Sequence, residues 1–292
     1  MNYVSCLLAI LMILSCKGES APSKADIPSN DPVMSAEEFK AKGFDGLILF
    51  AGSEDDFETQ YIPNAIHFPV NKTLDPDSEL FKIGSIQQIQ DLMQSYGVIT
   101  NVPVLIYDEG KLLNSARLFW TLESHGLQMV KVLNGGYPAW ARVHKSQKRG
   151  DLISPKRSKF RVQIKPALMS TKLLVLQALN KPGHVIFDAR NISDYQGKSS
   201  AEVRGGHIPG AKHLEWVNVT QVEQSMSLLR PVEDLRELLD QYPKGDKYHV
   251  YCNKGKQSAV LYLALRRLGL NVAAYDGSWY EWSRDESLPI ER

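Results

Sequence analysis

The sequence predicts an α/β protein made of two tandem copies of one unit, each a mostly parallel sheet flanked by helices. Three observations carry that reading. Short apolar runs rich in β-formers alternate with helical patterns, which is how strands joined by crossover helices read. Four blocks of sequence recur in the same order, and two copies of a long repeat mean duplicated domains rather than a solenoid. The length, 292 residues, is that of about two domains at roughly 150 residues each.

In chain order the segments are 1–16, 17–32, 33–145, 146–160 and 161–292. The first contains the apolar run Val4 to Leu14, broken only by Ser5 and Cys6. It fits a signal-peptide core and is too short to span a bilayer comfortably. The run ends at Ile13-Leu14-Ser15-Cys16 and resembles a bacterial lipoprotein signal, although Met1-Asn2-Tyr3 lacks the usual basic residues. The resemblance implies lipidation at Cys16 and a place in the cell envelope, on the periplasmic side, with membrane contact through that anchor alone. Segment 17–32, rich in Ser and Pro, reads as a flexible tether.

The repeat fills most of the remainder. Gln60-Tyr61-Ile62-Pro63-Asn64-Ala65-Ile66-His67 is answered by Gly206-His207-Ile208-Pro209-Gly210-Ala211-Lys212-His213, and Val104-Leu105-Ile106-Tyr107-Asp108 by Tyr248-His249-Val250-Tyr251-Cys252. Ser115-Ala116 and Ser258-Ala259 open matched helical patterns that end at Gly126 and Gly269, as C-caps do. Asn134-Gly135-Gly136-Tyr137-Pro138-Ala139-Trp140 is answered by Asp276-Gly277-Ser278-Trp279-Tyr280-Glu281-Trp282. Between the copies, Arg142 to Lys159 holds seven Lys or Arg and one acid, with Gly150 and Pro155. Lacking interleaved aromatics and amphipathic spacing, it reads as a solvated linker.

Thirty-four basic against thirty-three acidic residues leave a net charge of +1, which argues against a dedicated nucleic-acid binder. The three cysteines, Cys6, Cys16 and Cys252, supply neither a disulfide framework nor a zinc site. No metal or other cofactor is expected, and the chain is expected to be a monomer. Cys252 is the one cysteine of the folded body.

Cys252-Asn253-Lys254-Gly255-Lys256-Gln257-Ser258 lies between a predicted strand and a predicted helix, where open α/β sheets place their ligands. Unpaired helix N–H groups, the positive end of the helix dipole, and the cations Lys254 and Lys256 all favour a thiolate at Cys252. Gly255 lets the loop curl so that its amides point inward. A core cysteine would not be followed by polar residues.

This loop is similar to the active-site loop of rhodanese-type sulfurtransferases. So are Phe187-Asp188-Ala189-Arg190, Gly206 to Ala211 and Tyr275-Asp276-Gly277-Ser278-Trp279. The tandem arrangement resembles the two-domain thiosulfate and 3-mercaptopyruvate sulfurtransferases over about residue 33 to the C-terminus. The resemblance implies a small anionic sulfur donor, a Cys252 persulfide, and a cyanide or thiol acceptor, with the loop amides from Asn253 to Ser258 cradling the charged sulfur. It also implies a silent first domain, because Asp108 stands where Cys252 stands in the second. Lys254 favours thiosulfate as donor. The alternatives are 3-mercaptopyruvate by the same route, or a non-catalytic sulfur carrier or redox-binding protein. A cysteine phosphatase needs an arginine about six residues after the nucleophile, where this chain has Ser258.

Asp188, Arg190, Asp194 and Arg204 are candidate cleft residues. Asp194 occupies a place where relatives usually carry an arginine, and repels an anionic donor unless it faces a loop lysine. His207 reads as a structural turn histidine. Trp216, Trp279 and Trp282 read as core or inter-domain residues.

Overall fold

The computed structural model describes residues 31–144, 153–199 and 202–292. The signal-like segment 1–16 with Cys16, nearly all of the tether, and linker residues 146–152 lie outside the described residues.

In the first unit, β1 (Val33–Met34), β2 (Leu47–Phe50), β3 (Ala65–His67), β4 (Val104–Tyr107) and β5 (Val130–Leu133) form one sheet in the order β1-β5-β4-β2-β3. The second unit contributes β6 (Met169–Ser170), β7 (His184–Asp188), β8 (Lys212–His213), β9 (Thr220–Glu223), β10 (Met226–Leu229), β11 (Lys247–Tyr251) and β12 (Val272–Tyr275). Five of these form a second sheet in the order β6-β12-β11-β7-β8, the same order position for position. Every pairing in both sheets is parallel. The central strand β4 is buried throughout and β11 from Tyr248 onward, which is why both read as unbroken apolar runs.

The recurring blocks have matched jobs. The N–H of Ile62 donates to the Tyr107 hydroxyl and that of Ile208 to the Tyr251 hydroxyl, at 3.1 Å in each unit. The Ile-Pro turns are thereby pinned to the tyrosine that ends each central strand. After β4 and β11 come the helices Leu113–Ser124 and Lys256–Arg267, each of twelve residues. Ser115 and Ser258 are their third residues, not their first, because Leu112 and Gly255 precede them in the left-handed conformation. Gly126 and Gly269, both at positive φ, follow their ends.

These two helices pack on each other across the unit boundary. Lys256 Nζ donates to Asn114 Oδ1 at 2.8 Å near their starts. The rings of Phe119 and Tyr262, each the seventh helix residue, lie 6.3 Å apart. Glu123 and Arg266, each the eleventh, form a 2.6 Å ion pair, and the Tyr262 hydroxyl donates to the same carboxylate at 2.7 Å. Contacts between like positions along the whole length mean that the helices run in the same direction about a local two-fold axis. Both N-termini therefore open at one end of the interface.

Two connections were not legible in the sequence. The β9–β10 ribbon, turned by Gln224 and Ser225 at positive φ, reaches onto the first unit. There the Ser227 N–H donates to Gly110 O at 2.7 Å, the Leu229 N–H donates to Asn134 Oδ1 at 2.8 Å, and Met226 is buried against Ala36 and Ala139. The described part of the linker up to Lys159 is mostly exposed but already lies on the first unit, where Arg157 pairs with Asp91 and the Ser158 N–H donates to Gln94 O. Phe160 is buried, the N–H of Gln163 donates to His125 O and that of Lys165 to Ser124 O. Residues 161–165, expected to open the second unit, thus lie along the first, and the second sheet begins at Met169.

Candidate active site

Cys252 follows β11 directly and is 1% exposed, packed with the hydrophobic core although polar residues follow it, so burial at the strand end and a place on the cavity wall coexist. Its Sγ accepts a hydrogen bond from the Gly255 N–H at 3.1 Å. Gly255, at φ +87°, is required twice over: a Cβ there would be strained and would lie 2.4 Å from Arg117 Nη1. The short helix Ser278–Trp282, with the turn that leads into it from β12, holds the loop from behind. Trp279 and Tyr280 donate their N–H groups to Cys252 O and Asn253 O at 2.8 and 3.0 Å. The Cys252 N–H donates to Ser278 Oγ, which in turn donates to Tyr275 O. The closing Asp276–Trp282 block is therefore the scaffold of the cysteine loop.

The first unit shows what such a loop does with an anion. The Asp108 carboxylate, on a residue only 1% exposed, accepts from the N–H groups of Gly110, Lys111, Leu112 and Ser115 and from the Ser115 hydroxyl, at 2.9–3.3 Å. Five donors converge on one carboxylate at a helix N-terminus, an arrangement that stabilises negative charge. Ser258 holds the same helix position as Ser115, and its Oγ is buried without a hydrogen-bond partner among the described residues.

Between the units lies a cavity of about 440 Å³. The second unit lines it with Cys252, Asn253, Lys254, Lys256 and Gln257, and the first with Val70, Asn71, Leu74, Phe81 and Arg117. Arg117, 2% exposed, forms a 2.5 Å ion pair with Asp276, and the other Asp276 oxygen accepts from the Ile83 N–H at 2.7 Å. A buried cation of one unit is thus bound to the scaffold turn of the other. Burial lowers the Lys256 ammonium below the usual lysine range, with Glu109 opposing the shift. The Lys254 ammonium lies 4.1 Å from the Phe81 ring centroid and 4.7 Å from that of Tyr280.

Of the loop residues, Cys252, Asn253, Lys254, Lys256 and Gln257 line this cavity, Gly255 and Ser258 lie behind it, and the other candidates lie elsewhere. Asp188 and Arg190 are fully buried and paired at 2.6 Å. Arg190 also donates to Gly206 O and lies 4.6 Å over Trp279, bracing the domain interior. Arg204 donates to the carbonyls of Trp282, Ser283, Asp285 and Leu288, clamping the C-terminal segment. Neither arginine lines the cavity. His207 stacks on Tyr195 at 3.8 Å and bonds the Tyr195 carbonyl. Asp194 faces no loop lysine; its carboxylate accepts from the Asn253 side chain at 3.2 Å, from Asn191 and from Ser199. Trp279 and Trp282 are fully buried, and Trp216 is partly buried against the core. Sequence reasoning missed Arg117, Phe81 and Asn114. An arginine two residues beyond Ser115, inside an apolar helix, was the one available signal.

The rhodanese-like domain family profile matches this chain twice, over residues 35–143 and 171–285. The 3-mercaptopyruvate sulfurtransferase of Escherichia coli is 28% identical over 261 residues, covering 85% of this chain and 90% of its own. Thiosulfate/3-mercaptopyruvate sulfurtransferase 2 of Arabidopsis thaliana is 27% identical over 319 residues, covering 96% and 92%. The thiosulfate sulfurtransferase of Azotobacter vinelandii is 28% identical over 207 residues, covering 70% and 75%. Among solved structures, YnjE shares the fold with a TM-score of 0.78 at 20% identity, over 91% of this chain and 70% of that one. Wild-type EanB does so with a TM-score of 0.77 at 17% identity, over 89% and 69%.

Removing the Asp108 carboxylate leaves five donors facing an apolar side chain. Asp108→Ala is expected to lower unfolding stability by roughly 3 kcal/mol in denaturant titrations, and a loss below about 1 kcal/mol would show that the carboxylate does not organise this loop.

Proposed function

The chain belongs to the rhodanese-like domain family, and from that premise we propose that it is a thiosulfate sulfurtransferase acting through a Cys252 persulfide, with cyanide or a thiol as acceptor. The observation that carries the reading is the pair of matched loops. One closes around the Asp108 carboxylate; the other presents Cys252 with an inward Gly255 N–H, a buried Ser258 hydroxyl and two lysines at a shared cavity.

In this reaction the Cys252 thiolate attacks the outer sulfur of thiosulfate. The sulfur–sulfur bond breaks, sulfite leaves with its electron pair, and Cys252 holds a persulfide. Cyanide then attacks the outer persulfide sulfur, forms thiocyanate and returns the thiolate, a ping-pong cycle that needs no proton transfer. Lys254 and Lys256 meet the charge of the donor and of the departing sulfite, and the loop donors stabilise the charged sulfur. Asp194 is directed to Asn253 and does not line the cavity, which favours the access of an anionic donor.

A second reading takes 3-mercaptopyruvate as donor by the same attack, with the enolate of pyruvate as leaving group. The Escherichia coli relative favours it. The two lysines at the cavity favour the doubly charged inorganic donor.

Intact-mass analysis after incubation with thiosulfate is expected to show one added sulfur, absent in Cys252→Ala, and steady-state transfer to cyanide is expected to disappear with it. No added sulfur from either donor would overturn the enzymatic reading. Lys254→Ala is expected to raise KM for thiosulfate roughly ten-fold, the scale of one charge-assisted contact, and to affect 3-mercaptopyruvate less; equal losses would count against thiosulfate as the preferred donor.

Export and anchoring through Cys16 belong to the same proposal, supported by the apolar run that ends at Ile13-Leu14-Ser15-Cys16. Metabolic labelling with a fatty acid is expected to mark the chain and to be lost in Cys16→Ser; labelling that survives the substitution excludes this anchor.

A further inference from the structure

The segment from Leu74 to Ile83 is a strap of the first unit laid against the second. A bridge between Leu74 and Ile83 closes it at its base. Three consecutive residues then engage the turn after β12. Phe81 packs edge-on to Tyr280 at 5.4 Å, Lys82 pairs with Glu281 at 2.5 Å, and the Ile83 N–H donates to Asp276 at 2.7 Å. Phe81 sits at φ +54°, a conformation that an aromatic residue rarely adopts. The anchored neighbours hold it there, with its ring in the wall of the Cys252 cavity.

That ring and Tyr280 together hold the Lys254 ammonium, at 4.1 and 4.7 Å. The nearby carboxylates are engaged elsewhere: Glu281 by Lys82 and the Tyr275 hydroxyl, Asp276 by Arg117 and the Ile83 amide. Among the described residues Lys254 makes no ion pair. Aromatic faces attract a cation through their quadrupole and carry no net charge. Lys254 is therefore fixed in place while its field remains available to an anion in the cavity. A carboxylate partner would have fixed it and cancelled that field.

We propose that Phe81 is the positioning residue that holds Lys254 over the cavity as its anion-binding cation, so that recognition of a small dianionic donor depends on the otherwise silent first unit. The proposal rests on the sulfurtransferase reading for the identity of the donor, thiosulfate, but its test does not require turnover. Thiosulfate binding to the full chain carrying Cys252→Ser is measured by calorimetry, with Phe81→Leu, Phe81→Trp, Lys254→Met and the Phe81→Leu/Lys254→Met pair added. Phe81→Leu is expected to weaken binding roughly five-fold and Phe81→Trp, which keeps an aromatic face, to stay within about two-fold of the parent. In the Lys254→Met background Phe81→Leu is expected to cost nothing further, because its effect passes through the ammonium. Equal losses in both backgrounds, no loss from Phe81→Leu, or no thiosulfate binding to the parent would each overturn the proposal. Failure of the Cys252 protein to gain a sulfur defeats the sulfurtransferase reading separately and leaves the binding cycle readable.

Discussion

The side-by-side packing of the helices Leu113–Ser124 and Lys256–Arg267, in the same direction, is the contact on which the molecule depends. Parallel helices place two positive dipole ends at one end of the interface. In the first unit that end is neutralised within the chain, because Asp108 lies inside the loop and accepts every donor aimed at it. In the second unit the same end receives a thiol sulfur and two lysines. The duplicated interface thus concentrates unneutralised positive character around Cys252, and a small anion is the chemistry that complements it.

The same packing brings the first unit into the wall of the Cys252 cavity. Arg117 projects from the first helix over Gly255 and pairs with Asp276 of the second unit's scaffold turn. A buried ion pair adds little net stability over an apolar contact, but losing one partner strands the other charge. The pair therefore acts as a register pin, holding the cavity walls to one relative position. The β9–β10 ribbon grips from the other side, where Ser227 bonds the back of the Asp108 loop at Gly110. Half of the cavity wall and the aromatic contact to Lys254 come from a domain whose own loop is closed by its aspartate.

The sequence made the repeated architecture legible because each repeated block makes the same local contact in each unit. Tyr107 and Tyr251 receive the same amide, and Tyr137 and Trp279 donate to equivalent carbonyls, Asp108 O and Cys252 O. Strand ends, the left-handed Gly255 and the apolar-to-polar switch after Cys252 are properties of near neighbours, and a linear reading captures them. What it did not capture comes from remote chain. Arg117, Phe81 and Asn114 reach the cavity only because two helices pack across the unit boundary. Asp188, Arg190 and Arg204 look like cleft residues in the sequence, since charged side chains at a strand end or in a loop usually face solvent. The structure turns them inward onto one another and onto backbone carbonyls instead. Periodicity does not reveal which charge finds a buried partner.

The difference between the loops bears on the chemistry itself. Seven positions separate Asp108 from Ser115, and six separate Cys252 from Ser258. Beyond its Cβ an aspartate carries one further carbon and then two charged oxygens, and it is these terminal atoms that the first loop's donors hold. Cysteine carries only Sγ beyond its Cβ, so its charge sits one bond nearer the backbone. A persulfide would extend by one atom, about 2.05 Å away, so that its charge, like that of an aspartate, would lie two bonds beyond Cβ. Ser258 is the third residue of its helix, as Ser115 is of its own, and its Oγ is buried without a partner among the described residues. The first unit thus carries as a permanent side chain an anion of the kind that the proposed reaction would place on the second. In the proposed transfer to Cys252, the Gly255 N–H already at Sγ is the donor that the structure offers to the charged sulfur.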